Sequence, residues 1–172
     1  MDEVIKGYLA GCIDCDGYFS IKRSTYHMRV RKDAGQPIYS ERIGLKQVTQ
    51  DVPKLLHEYF GGSYYIEKPS ARHGKPLYAW TVTDRQAFNC AITFLPYLRV
   101  KKEHAKLLIE LRRLKNLPRK VVGTVAIRNR WGTITIVPRR IVAPEVMRQK
   151  DLLFDEMHSL NCITNNNPTL LI

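Results

Sequence analysis

The sequence has no uninterrupted apolar run long enough to cross a bilayer. Its first residues, MDEVIKGYLAG, lack the basic start and the long apolar stretch of a secretory leader. Cysteine is scarce and scattered, at Cys12, Cys15, Cys90 and Cys162. That excludes a disulfide scaffold and fits reduced thiols inside a cell, in a bacterial or phage-infected cytoplasm or an organelle interior, rather than a secreted protein. Acid is short as well: 16 Asp plus Glu stand against 28 Lys plus Arg, a net charge of +12. Such an excess suits a polyanion, nucleic acid first and an acidic membrane surface second, and gives no reason to expect a small-molecule substrate. A merely soluble basic protein is the plainer alternative. The chain holds 172 residues, 44% of them hydrophobic, enough for one domain with a sizeable core.

Cys12 and Cys15 form a C-x-x-C pair, but the chain has no second such pair and no H-x-x-x-H to complete a zinc site. They fall late in an apolar helical segment, not at a strand-to-helix turn where a redox pair usually sits. Packing is the simpler role for them.

Residues 4–14 read as a short apolar helix, ended by Asp14, Asp16 and Gly17. Gly7 and Gly11 lie four apart and share a face. Glycine costs a helix about 1 kcal/mol relative to alanine, so close approach of another helix is the expected reason for two. A strand over 18–32 follows, with Phe19 and Ile21 inward and Ser20, Lys22, Ser24 and Tyr26 outward. After a KDAGQP turn, a second strand over 38–49 puts Ile43 and Leu45 inward and Ser40, Arg42 and Lys46 outward. Its alternation breaks at Gln47 and Val48, the mark of a bulge. A helix over 51–60 has Asp51 as its cap and Pro53 in its first turn. Strands over 63–72 and 76–83 flank an RHGK turn, with Tyr78, Trp80 and Val82 inward. Asp84 caps a helix over 85–95, and another spans 101–115.

The expected class is therefore α+β: an antiparallel sheet with helices on one side. Its other face carries Ser, Tyr, Lys and Arg and is wide enough to lie along a DNA groove. The alternative is plain solvent contact. Residues 1–117 form the core. Residues 118–160 extend the same domain with a strongly basic hairpin and a last helix, and 161–172 form a loose tail. The hairpin suits phosphates that flank a central site, and serves equally well as a packing element.

Leu9-Ala10-Gly11-Cys12-Ile13-Asp14-Cys15-Asp16-Gly17 resembles the signature of the single-motif LAGLIDADG homing endonucleases; seven of nine positions match, with Cys12 and Cys15 replacing Leu and Ala. The order of elements over about residues 4–116 is similar to the αββαββα family fold. Gln47-Val48-Thr49-Gln50 and Pro96-Tyr97-Leu98-Arg99-Val100-Lys101 are similar to two further family segments. The portion after Leu117 is not covered.

The resemblance implies a site-specific endonuclease that makes a metal-dependent double-strand break with 3′ overhangs. Asp16 is the implied metal ligand, joined by the backbone carbonyl of Cys15. Mg²⁺ is the implied cofactor; Mn²⁺ can stand in for it, and Ca²⁺ can bind without supporting cleavage. Lys101 is the implied active-site lysine, Gln50 the residue that positions solvent, and Lys54 the basic residue near the scissile phosphate. One motif per chain implies a homodimer on double-stranded DNA, with Gly7, Tyr8, Gly11 and Asp14 at the subunit contact and Asp14 structural. The site would be a partial palindrome of roughly 20 base pairs. Ser20, Lys22, Ser24, Tyr26, Ser40, Arg42, Lys46, Lys68, Arg72 and Lys75 are the expected DNA-contacting residues. A binding protein that has lost cleavage, an intron RNA splicing helper or a DNA-binding regulator, is the alternative on the same fold; a structural or ribosome-associated basic protein would leave the Asp16 motif unexplained.

Overall fold

The computed structural model describes residues 1–24, 36–69, 74–128 and 130–166. Helix α1 spans Glu3–Asp16, two residues further at its end than the sequence predicts. The Asp2 side chain accepts from Ile5 N at 2.8 Å, and Glu3 suits the positive end of the helix. Leu9, Ala10 and Ile13 are its buried stripe. Each large apolar side chain so buried contributes about 1.5–3 kcal/mol, which offsets the cost of Gly7 and Gly11.

Strand β1 (Gly17–Ser24) pairs antiparallel with β2 (Ile38–Gln47), which pairs with β4 (Leu77–Thr83), which pairs with β3 (Ser63–Glu67). The sheet order is β1-β2-β4-β3. The rest of the predicted first strand and most of its turn, including Tyr26, lie outside the described residues, as does Arg72. The bulge expected at Gln47 and Val48 is absent: β2 keeps one register with β4 through Gln47, and the alternation stops because the strand ends there.

Helix α2 (Asp51–Phe60) begins after Gln50, which is the cap residue in place of Asp51 and makes no side-chain cap bond. Gly62, just past this helix, has φ +86, and a Cβ there would lie 2.5 Å from Thr81 O. Helix α3 (Asp84–Phe94) likewise starts at Asp84, with Thr83 as its cap residue. Asp84 takes φ +52, and its carboxylate accepts from Lys115 Nζ at 2.7 Å instead of capping. Helix α4 covers Lys102–Asn116. Strands β5 (Lys120–Arg128) and β6 (Ile134–Ile141) form a separate hairpin, and α5 (Pro144–Asn166) follows. The tail predicted from residue 161 is thus helical through Asn166.

Phe19, Ile21, Ile43, Leu45, Trp80 and Val82 share the inner sheet face, where α1, α3 and α4 cover them. Glu41 sits on the same inner face and is fully buried. Its Oε2 accepts from Arg112 Nη2 at 2.9 Å and Lys115 Nζ at 2.6 Å, and Lys115 also reaches Asp84. Lys150 of α5 is buried beside this group; burial, then Arg119 and Lys115, lowers its pKa. The Glu41, Asp84, Arg112 and Lys115 charges tie β2, α3 and α4 together.

Candidate active site and nucleic-acid face

Two chain segments far apart in sequence grip each other at the end of α1. The Asp14 carboxylate accepts from the backbone N–H of Arg99 at 2.9 Å, Val100 at 3.0 Å and Lys101 at 2.7 Å, which fixes the segment that leads into α4. In return, Lys101 Nζ donates to Ile13 O at 3.1 Å, Asp14 O at 2.5 Å and Cys15 O at 2.9 Å. α1 has no basic residue in its own last turn, so Lys101 supplies the cation that its carbonyl end favours. Burial lowers the Lys101 pKa, against the opposing pull of Asp14, Cys15 and Asp16.

Asp16 is exposed at the last position of α1. Gln47 Nε2, from the end of β2, donates to its Oδ2 at 2.9 Å. The glutamine that reaches Asp16 is therefore Gln47, a residue not singled out for the site from the sequence. Gln50 is exposed before α2, and its carbonyl accepts from Lys54 N at 2.9 Å. Lys54 is also exposed. The parity of β2 held the clue to Gln47: counting from Ile43 and Leu45 puts it on the helix side, toward the foot of α1.

His104, a residue the sequence reading passed over, is buried three positions after Lys101 on α4. Burial and then Lys101 hold its pKa below the ordinary histidine value. Neither ring nitrogen has a hydrogen-bond partner among the described residues. Its ring lies 6.4 Å from that of Phe19.

The exposed side of α1 carries Val4, Tyr8, Gly11 and Cys15. A Cβ on Gly11 would meet nothing within 4 Å in this chain, whereas one on Gly7 would lie 3.9 Å from the Tyr97 ring. Asp14 turns its carboxylate toward the segment that leads into α4 of its own chain. All four cysteines are free. Packing accounts for half-buried Cys12 but not for exposed Cys15.

The outer sheet face gathers what the alternation promised. Ser20 pairs with Arg42, Lys22 with Ser40 and Ser24 with Ile38. Tyr18 belongs to this face too, two residues before Ser20, and was missed. Its ring lies over Gly44, where a Cβ would come within 2.5 Å of it. Its hydroxyl is 3.2 Å from Thr81 Oγ1, and the Arg42 guanidinium sits 5.7 Å from the ring centre. Lys46 is paired with Glu67 at 2.6 Å. Lys68 and Lys75 are exposed beyond β3 and before β4.

Among the described residues, no group of three or more His, Cys, Asp or Glu is placed to hold a metal ion, and no helix is long and apolar enough to cross a membrane. One carboxylate with a neighbouring carbonyl supplies part of an octahedral oxygen-donor set of the kind Mg²⁺ accepts, so the donors of Asp16 and Cys15 fit a site completed by water and from elsewhere.

The antiparallel αββαββα unit shares its fold with solved LAGLIDADG homing endonucleases. The archaeal intron-encoded homing endonuclease I-Vdi141I, complexed with DNA, superposes with a TM-score of 0.63 at 16% identity, over 93% of this chain and 86% of that one. I-CvuI, in complex with the I-CreI target in the presence of Mg with the DNA not cleaved, gives 0.61 at 17% identity, over 92% and 82%. The LAGLIDADG homing endonuclease I-SmaMI, bound to cleaved DNA, gives 0.53 at 19% identity, over 88% of this chain but 43% of that one. No family model and no curated protein matches the sequence.

Proposed function

We propose that the chain is a site-specific homing endonuclease that acts as a homodimer and makes a divalent-metal-dependent double-strand break with 3′ overhangs in a long, partly palindromic DNA site. The observation that carries this reading is the exposed Asp16 carboxylate, fixed by Gln47 at the end of a helix whose neighbouring carbonyls are held by Lys101. Asp16 and the Cys15 carbonyl would hold Mg²⁺. When bound, the metal neutralises phosphate charge, lowers the pKa of water and stabilises the leaving oxygen.

The protein's own residues do the positioning. Gln47 orients Asp16 through Oδ2 and leaves Oδ1 available. Lys101 presents a cation beside the same carbonyls, where it stabilises negative charge that develops on the phosphate. The outer sheet face, with Ser20, Lys22, Ser24, Ser40 and Arg42, reads and grips the duplex. Gln50 and Lys54, at the start of α2, extend this polar margin toward the scissile phosphate.

One Asp16 per chain serves one strand, so a second copy is needed for the other. The exposed α1 side with Tyr8 and Gly11 is open to such a copy, and the match to under half of I-SmaMI supports a unit that works in pairs.

Plasmid bearing a site selected from a randomised pool should be linearised in Mg²⁺ and retained but uncut in Ca²⁺. Asp16→Asn should bind it and fail to cut. Retention without cutting in either metal by the wild type would select the binding-only alternative. Cutting by D16N would sink the mechanism.

A further inference from the structure

The β5–β6 hairpin stands outside the αββαββα unit. Residues 119–142 hold Arg119, Lys120, Arg128, Arg130, Arg139 and Arg140 and not one Asp or Glu. The two strands pack chiefly on each other rather than on the body of the protein. Their register sets Val121 beside Arg140 and Ala126 beside Ile136 on one face, which Ile134 shares. That face is open: Val121 is 55% exposed, Ile134 64% and Ile136 71%, with Trp131 at the turn 85% exposed. An exposed apolar strip of this kind marks an interaction surface.

Charge decides the class of partner. A second copy of the same arm would bring like charges together, and an acidic surface would attract them. Position then decides which acidic surface. Gln36 clasps the root of the arm, donating to Val142 O and accepting from Val142 N, each at 2.9 Å. Gln36 lies two residues before the start of β2, whose other end holds Gln47 against Asp16. The root therefore lies at the end of the polar sheet face remote from Asp16, roughly 30 Å away by strand rise. At 3.4 Å per step, that is about nine base pairs from the centre of a bound duplex.

We propose that the β5–β6 arm is a second duplex-binding element, which places its basic side chains on phosphates outside the stretch covered by the four-stranded sheet and lays Trp131 and the isoleucine face against the groove. The proposal rests on the reading of the sheet as a DNA face. It adds length to the site and a non-polar contact that the sheet does not offer.

Trp80 is fully buried and Trp131 is exposed, so acrylamide quenching of the wild-type protein reports the arm directly. The probe is a duplex recovered by the wild type from a randomised pool, made in a form of about 14 base pairs around the centre and a form of about 34. The longer duplex should cut the quenching constant about two-fold or more, and the shorter should leave it unchanged. The triple variant Lys120→Ala, Arg130→Ala, Arg140→Ala should bind the longer duplex at least about ten-fold more weakly, with a salt slope smaller by about 2–3, and bind the shorter one as the wild type does. Tight binding of the longer duplex with unchanged quenching and an unchanged slope in the variant overturns the arm's role while the sheet's stands. Protection by phosphatidylserine vesicles but not by duplex, or protection that grows with protein concentration alone, overturns it in favour of a membrane or a second copy. If no duplex is recovered from the pool, both readings fall.

Discussion

Asp14 and Lys101 each bind the other's backbone: the carboxylate takes three N–H groups just before α4, and the ammonium takes three carbonyls at the end of α1. Two helices 85 or more residues apart in sequence are thereby joined end to end, and the joint sits one residue from Asp16.

Removing one side of this joint should cost more than an ordinary cap. Asp14→Ala leaves three N–H groups without their acceptor and frees Lys101. A loss of about 2–3 kcal/mol is expected from urea unfolding, with Asp14→Asn losing less. A loss below about 0.5 kcal/mol for the alanine variant would mean that the cap does not hold α4 in solution.

Glu41 offers a second stability test, remote from DNA. Its buried carboxylate answers Arg112 and Lys115, with Lys150 close by. Glu41→Ala strands these cations and should destabilise the protein by about 3–5 kcal/mol. Glu41→Gln keeps the shape but not the charge and should fall between the two. A chemical-denaturation midpoint unchanged in both would show that water reaches the cluster.

His104 predicts an acid-sensitive component of stability. Its folded pKa is lowered by burial and then by Lys101, so the unfolded chain takes up the proton first as pH falls. The contribution is full above about pH 6.5, the ordinary histidine value, and is lost as pH drops through the lower folded pKa. His104→Leu should flatten the change in unfolding free energy between about pH 7.5 and about pH 5.5 relative to the wild type. An identical pH profile in the variant would assign that change to other groups.

Gly44 tests the outer face. A Cβ there would meet the Tyr18 ring at 2.5 Å, so Gly44→Ala must push the ring away from Thr81 and Arg42. Overpacking of this kind costs about 1–3 kcal/mol. Duplex affinity should fall with it, because Arg42 loses its aromatic support. Tyr18→Ala together with Gly44→Ala should recover stability but not affinity, as read by unfolding and fluorescence anisotropy.

Much of the fold was legible because its signals are local. Period-two alternation in 18–24 and 38–47, and the apolar stripes of α1 and α4, follow directly from side-chain order. What was not legible depends on tertiary partners. Asp51 and Asp84 have the chemistry of caps, yet Asp84 is drawn to Lys115 across 31 residues. Gln47 and Gln50 are alike in sequence, and only the end of β2 decides which meets Asp16. Cys15 looked like a packing residue until the rotation of α1 placed it outward. His104 carried no pattern at all, since one histidine within a charged helix reads as surface.

The last helix has a consequence for how copies of the chain can meet. β1 is an edge strand, and Asn161 of α5 donates to its Phe19 carbonyl at 3.1 Å, while Asp151 of α5 binds Arg23 of β1 and Tyr39 of β2. That margin of the sheet is thus sealed against strand-to-strand fusion. β3, at the opposite margin, is only five residues long. Shortening the C-terminus removes the cover from the β1 edge, so it should favour fibrils as much as it harms the fold.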